Sequence, residues 1–183
     1  MTRIIAGTAK GRNLKVPQSG TRPTSDRVRE AVFTSLTSRV GNFANLVILD
    51  LYAGSGAFAL EAISRGAAKA VAVEKHSGTA NIIKENANSI GFDLEVKITD
   101  VISFLKSQAS EKFDIVYVDP PYDHSNDEVE AVLKLLQANG YLADESLVAV
   151  ERSARGAQFA WPQGYEQVQE RTYGETLVKT GIC

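Results

Sequence analysis

At 183 residues, with 44% hydrophobic and 23% charged side chains, the chain has the length and balance of one globular domain with a substantial core. Its apolar runs fall short of the ~20 residues that span a bilayer, and Met1-Thr2-Arg3-Ile4-Ile5-Ala6-Gly7 lacks a signal peptide's apolar stretch, so a cytoplasmic protein is expected. Cys183 is the single cysteine, which excludes an internal disulfide or a cysteine-based zinc site, and two histidines, His76 and His124, are too few to build a metal site unaided.

The net charge of -2 is unevenly divided: residues 1–40 hold eight arginines and lysines against two acids, a local +6, which leaves -8 for the remainder. A basic arm on an acidic body suits a protein that grips phosphates at one edge, and it equally suits a solvated surface segment. Arg12, Arg22, Arg27 and Arg29 are the arm's candidates for contact with phosphates.

In chain order, Ile4-Ile5 and Asn13-Leu14-Lys15-Val16 flank a glycine-containing turn and predict a small hairpin, broken after Pro17. Thr24 or Ser25 then caps a helix whose first turn holds Asp26. Val28, Val32, Phe33 and Leu36 form its docking stripe, and Arg27 and Arg29 lie off that stripe and remain available. From Leu46 the pattern becomes strand, glycine turn, helix: Val47 to Tyr52, Ala53-Gly54-Ser55-Gly56, and Ala57 to Arg65 closed by Gly66. This resembles the opening unit of a nucleotide-binding α/β fold, without the Gly-Lys-Ser/Thr of a phosphate-gripping loop, and many strand-to-helix turns use glycine as well.

The next strand, Ala70 to Glu74, ends in an acid about 20 residues beyond the glycine turn, where a ribose-binding carboxylate belongs. A helix from Ser77 to Ile90 and a third strand, Leu94 to Ile98, lead to Thr99-Asp100. Asp50, Glu74 and Asp100 thus stand at the ends of successive strands, each with a competing use as a helix cap. Phe113 to Val118 predicts a fourth strand running into Asp119-Pro120-Pro121-Tyr122. A residue before proline is held extended and proline has no N–H, so this loop offers a carboxylate, a carbonyl and an aromatic face and almost no donors. Those groups suit a planar substrate with an exocyclic amine. A helix closed by Gly140, a fifth strand at Leu147 to Glu151, and two tail strands, Tyr165 to Tyr173 and Thr176 to Ile182, complete the chain; Trp161 reads as a core or edge residue.

The alternation implies a doubly wound, mostly parallel seven-stranded α/β sheet with a closing antiparallel hairpin and a short basic amino-terminal extension. Strand order reverses between the first and fourth strands, so the glycine turn and the proline loop become neighbours. A nucleoside-like cofactor beside an amine-holding loop is the arrangement of an S-adenosylmethionine-dependent amino methyltransferase.

The chain resembles the RsmD-type methyltransferases nearly end to end. The resemblance is carried by Arg3-Ile4-Ile5-Ala6-Gly7 with Lys10-Gly11-Arg12, Arg22-Pro23-Thr24 through Arg29-Glu30 and Phe33, Asp50 to Gly56, Glu61 to Gly66, and Asp119 to Tyr122. Tyr52 stands where the family more often has phenylalanine, and Ala59 where glycine is common. The resemblance implies a Rossmann-like fold, S-adenosylmethionine as cofactor, and methylation of a guanine N2 amine in bacterial small-subunit ribosomal RNA. It implies one domain over 1–183, with 1–40 as basic hairpin and helix and 41–183 as catalytic core. Asp50, Gly54, Gly56, Glu74 and Asp100 would bind the cofactor, and Asp119 and the Pro120 carbonyl would accept both amine hydrogens. Tyr122 would stack on the base. The expected partner is small-subunit ribosomal RNA or the assembling subunit, met by a monomer. An adenine-N6 methyltransferase, a nicotinamide-dependent oxidoreductase and a non-catalytic RNA-binding module share parts of this pattern.

Overall fold

The computed structural model describes residues 2–17, 25–121 and 123–183. The short hairpin β1 (Thr2–Arg3) and β2 (Asn13–Leu14) precedes helix α1 (Asp26–Val40). There follow β3 (Val47–Leu51), α2 (Ala57–Ser64), β4 (Lys69–Glu74), α3 (Ser77–Ile90), β5 (Glu95–Ile98), α4 (Val101–Leu105) and β6 (Phe113–Val118). Helix α5 (Asn126–Ala138), β7 (Leu142–Ser153), β8 (Glu166–Tyr173) and β9 (Thr176–Ile182) close the chain. The large sheet has seven strands in the order β5-β4-β3-β6-β7-β9-β8. The first five in sequence are parallel, and β9 runs antiparallel to both β7 and β8.

Side-chain alternation decides which helices cover each face. Ile48, Ala70, Ala72, Ile115, Tyr117 and Ala149 point to the layer of α1, α2 and α3, where Val32, Phe33, Phe58 and Ile83 meet them. Leu49, Leu51, Val73, Val116, Val118 and Val150 point the opposite way, to Leu105 of α4 and to Val129, Val132 and Leu136 of α5. Strands covered on both faces read as continuous apolar runs, as these do. Fully burying each Leu, Ile or Val side chain contributes about 1.5–3 kcal/mol.

Two expectations are adjusted. The hairpin pairs Thr2 with Leu14 and Arg3 with Asn13, two residues earlier than the apolar Ile4-Ile5 suggested. Ile4 still closes the turn, with its N–H to Arg12 O (2.9 Å) and its carbonyl accepting from Gly11 N–H (2.9 Å), and the flanking donors go to other elements: Ile5 N–H to Glu61 (2.7 Å) and Lys15 N–H to Asn86 (2.8 Å). The fifth strand of the large sheet is longer than Leu147 to Glu151, since β7 begins at Leu142. Between Phe113↔Leu142 and Ile115↔Leu147 the register shifts, and Glu145 within that stretch adopts φ 59°. Charged Asp144 and Glu145 sit in this bulge, which hides the strand's start from an apolar pattern. Helix α1 is capped as expected, with Ser25 Oγ accepting from Val28 N–H (3.2 Å), and Thr24 lies outside the described residues.

Candidate active site at the carboxyl edge of the sheet

Because β3 lies between β4 and β6, the loops leaving these three strands converge on one edge. The loop after β3 enters α2 through Gly56, whose φ of 74° and lack of a side chain both matter. A Cβ there would come within 2.7 Å of Ile83 Cγ2, so the missing side chain at Gly56 makes room for α3 packing. Gly54 is different: a Cβ would meet nothing nearer than the Tyr52 carbonyl at 4.0 Å, leaving that side of the turn open.

The three strand-end acids all hold backbone donors. Asp50, 2% exposed, accepts from Ala59 N–H (3.1 Å) and so caps α2 in place of the side chain that Gly56 lacks. Glu74 accepts from Gly54 N–H (3.0 Å) and His76 N–H (2.8 Å), one oxygen each, tying the glycine turn to the end of β4. Asp100 caps α4 through Ser103 N–H (2.9 Å), and the hydrogen bonds from Ser103 hold its carboxyl below the usual range. The competing use as caps is therefore realised at Asp50 and Asp100. A carboxylate has about four acceptor positions, so these bonds leave capacity on Glu74 and Asp100.

Burial pushes the Asp50 carboxyl up to about 7, with the nearby Glu74 charge adding to the shift and the Ala59 bond opposing it. A raised acid binds its proton more tightly folded than unfolded, so this group's contribution to stability falls as pH rises from about 4 to about 7. Asp50→Asn keeps an oxygen for Ala59 and removes the titration. The variant's stability relative to wild type should rise across that window, by at most about 1.4 kcal/mol per pH unit. Urea unfolding at several pH values tests this; parallel profiles would place the buried charge elsewhere.

At the neighbouring strand, β6 leads into Asp119, whose N–H reaches Leu51 O at 3.5 Å and ties the proline loop to the end of β3. Asp119 is half-exposed and Pro120 is buried. His124 N–H closes back on Pro121 O (3.0 Å), and the His124 ring meets Tyr52 edge-on at 5.5 Å. Burial first, then the charges of Glu128 and Asp100, pushes the Tyr52 hydroxyl up to about 12, so it stays neutral. Tyr122 lies outside the described residues, and so does Arg22.

Sequence reasoning missed the groups beneath this loop. Tyr117 stacks on Phe58 (4.0 Å, 7°), which stacks on Phe33 (4.6 Å), and the Tyr117 hydroxyl donates to buried Glu151 of β7. Burial and then the Glu151 and Asp119 charges raise this phenol well above its ordinary value. Arg152, the next residue, donates to His124 O (2.6 Å) and Pro121 O (3.4 Å). An acid and an arginine closing an otherwise apolar strand were the available signal.

The arm is docked more firmly than its charge suggested. Gly7 has φ 82°, and a Cβ there would overlap Ser64 O at 1.8 Å, so only glycine fits against the end of α2. Arg29, expected to remain available for RNA, is 2% exposed: it bonds Asp26 (3.0 Å) and the Arg3 carbonyl and lies 3.9 Å from Glu61. It stands four residues before Phe33, beside the docking stripe, and the hairpin and α2 cover it. Arg12 is exposed and donates to Ser89 O (2.7 Å), while Arg27 is exposed. Asn86, buried on α3, receives Lys15 N–H and donates to Lys15 O (2.9 Å) and Ser55 O (3.0 Å), joining arm to glycine turn.

No described helix is long and apolar enough to cross a membrane, and no group of three or more metal-ligating side chains occurs among the described residues.

Comparison with known proteins agrees with this geometry. The family model described as conserved hypothetical protein 95 matches residues 2–181. Ribosomal RNA small subunit methyltransferase D of Escherichia coli K12 is 38% identical over 179 residues, covering 97% of this chain and 87% of that protein. Its Haemophilus influenzae counterpart is 36% identical over 177 residues, covering 94% and 89%. The solved structure of Escherichia coli YhhF superposes with a TM-score of 0.84 at 34% identity, covering 98% of this chain and 96% of that one. Magnesium protoporphyrin IX methyltransferase of Synechocystis PCC 6803, solved with bound SAM, shares the fold at 12% identity and a TM-score of 0.67, covering 89% and 86%. With the family model spanning nearly the whole chain and more than a third of its residues shared with the curated relative, the chain belongs to the RsmD family of ribosomal RNA methyltransferases.

Proposed function

We propose that this protein transfers the methyl group of S-adenosylmethionine to the exocyclic N2 amine of a guanine in bacterial small-subunit ribosomal RNA. The observation that carries the reading is the Asp119-Pro120 step held beside the glycine turn by the Asp119 N–H bond to Leu51 O. The residues fit the cofactor: Gly54 leaves open space, Glu74 keeps acceptor positions for ribose hydroxyls, and half-buried Asp100 would accept from the adenine edge. When bound, S-adenosylmethionine supplies an electrophilic methyl group on a sulfonium.

The protein's part is to present the nucleophile. An exocyclic guanine nitrogen is weak because its lone pair delocalises into the ring. Asp119 and the Pro120 carbonyl accept its two hydrogens, which turns the lone pair out of the ring plane and aims it at the methyl group. Positioning and charge supply most of the catalysis. Tyr122 stacks on a base that has left its own stack or comes from a loop. Arg12 and Arg27 contact phosphate, and Arg29 serves the same end indirectly by holding the arm.

Glu74→Ala should weaken S-adenosylmethionine binding by about 1.5–3 kcal/mol, the range for hydrogen bonds to a charged group. Calorimetry reads this directly, and unchanged affinity would put the ribose elsewhere. The reading as a whole is tested by label transfer from S-adenosylmethionine to small subunits from a strain lacking the enzyme. Transfer to RNA is expected; no transfer, or equal transfer to duplex DNA, would contradict it.

A further inference from the structure

Near the end of β7 two adjacent residues, Glu151 and Arg152, bond to the chain on either side of Asp119. Parallel pairing with β6 runs through Val118↔Val150, so Asp119 leaves the sheet beside Glu151. Successive side chains of a strand point to opposite faces. Glu151 therefore turns to the α1–α3 layer, where it receives the hydroxyl of Tyr117, two residues before Asp119. Arg152 turns to the α5 layer, where its guanidinium spans the carbonyls of Pro121 and His124, after Asp119.

The rest of the loop shows why that second grip matters. The loop begins at the Asp119 N–H bond to Leu51 O and ends at the α5 cap, where Ser125 and Glu128 exchange bonds of 3.2 and 2.6 Å. Between them lie two prolines with no N–H to give, so the loop cannot hold itself through an ordinary backbone ladder. Arg152 supplies donors from outside. It is 8% exposed, and a buried guanidinium offers a planar fork of N–H groups that two carbonyls can share. Among the described residues, the backbone bond across this stretch, His124 N–H to Pro121 O, joins the same two residues that Arg152 grips.

We infer that Arg152 is a positioning residue for methyl transfer, setting the Asp119-Pro120 acceptors at the reacting amine through the Pro121 and His124 carbonyls. This rests on the functional reading above. Arg152 acts through the main-chain carbonyls of Pro121 and His124, so its loss should appear in the chemical step and not in binding.

The test compares wild type with Arg152→Met, which keeps the apolar stem, and Arg152→Lys, which keeps the charge but lacks the fork. With small subunits as substrate, Arg152→Met should lower kcat by about 10²-fold, the scale of an ångström misplacement at a reacting centre. KM for the subunits and calorimetric affinity for S-adenosylmethionine should stay within about twofold of wild type, and Arg152→Lys should recover only part of the rate. Amide exchange supplies an arm independent of activity: the His124 N–H should exchange about tenfold faster or more in Arg152→Met, with β3 and β6 unchanged. Wild-type kcat in both variants, or unchanged exchange at His124, would overturn the assignment. A fall in kcat matched by lost S-adenosylmethionine affinity or general loss of exchange protection would reduce Arg152 to a structural residue. If wild type itself transfers no methyl group, the functional reading fails, and His124 exchange alone decides whether Arg152 holds the loop. Should Arg152→Met not fold, Arg152→Lys is read in the same way.

Discussion

Asp119→Ala is expected to lower single-turnover methyl transfer by about 10²-fold or more, the loss typical when one preorganised polar contact to a reacting centre is removed. The substitution keeps the bond that anchors the loop to β3, because that bond uses the Asp119 backbone N–H. Gly54, Glu74 and Asp100 are untouched, so affinity for S-adenosylmethionine should hardly change. That split, chemistry lost and binding kept, separates a catalytic carboxylate from one that merely supports the fold. A variant that turns over at near wild-type rate would remove Asp119 from the mechanism, and one that loses cofactor affinity in proportion would give it a different role.

Glu61→Ala should cost about 3–5 kcal/mol of folding stability, the penalty for breaking a buried ion pair from one side. Glu61 is fully buried and accepts from Ile5 N–H (2.7 Å), Ala6 N–H (2.9 Å) and Arg65 Nε (2.8 Å), with Arg29 Nε 3.9 Å away. Truncation leaves two backbone donors and the buried Arg29 cation short of an acceptor, each carrying a desolvation cost. Against a typical domain stability of about 5–15 kcal/mol, the loss is large. Urea unfolding measures it. A change below about 1 kcal/mol would mean that the arm docks without Glu61 and that the basic extension is held by its apolar contacts alone, chiefly Ile4 and Leu14 against Leu60 and Ala87.

These two residues also mark how much could be read from the chain. Asp119 was legible because a β-branched run stops at two prolines, a local pattern that fixes both the strand end and the loop's poverty of donors. The parallel sheet and the adjacency of its first and fourth strands followed from the alternation of strands and helices, and both antiparallel tail strands from their flanking glycines and Pro162. Glu61 appeared only as part of a family motif, since its partners lie 55 and 56 residues away in sequence. Arg29 failed for the same reason. Helical periodicity places a residue relative to its own helix, and it carries no information about the hairpin that covers it. Gly56 was legible as a turn, but the Ile83 side chain that fills its clearance belongs to another helix. Asp50, Glu74 and Asp100 were found by position, and the backbone donors they hold depend on loop geometry that local patterns do not encode.

The central claim is that the Asp119-Pro120 step presents a guanine N2 amine of small-subunit ribosomal RNA for methylation. Either exocyclic amine, on guanine or on adenine, offers two hydrogens to that step. The chain's basic arm of about 40 residues is suited to phosphate and shape and small for reading base edges in a DNA groove. A folded RNA that displays one base would supply the missing specificity. The most direct measurement is mass spectrometry of nucleosides digested from unmethylated small subunits after incubation with the protein and labelled S-adenosylmethionine. The account predicts label in N2-methylguanosine and its absence in the Asp119→Ala reaction; label in N6-methyladenosine, or in no nucleoside, would contradict it.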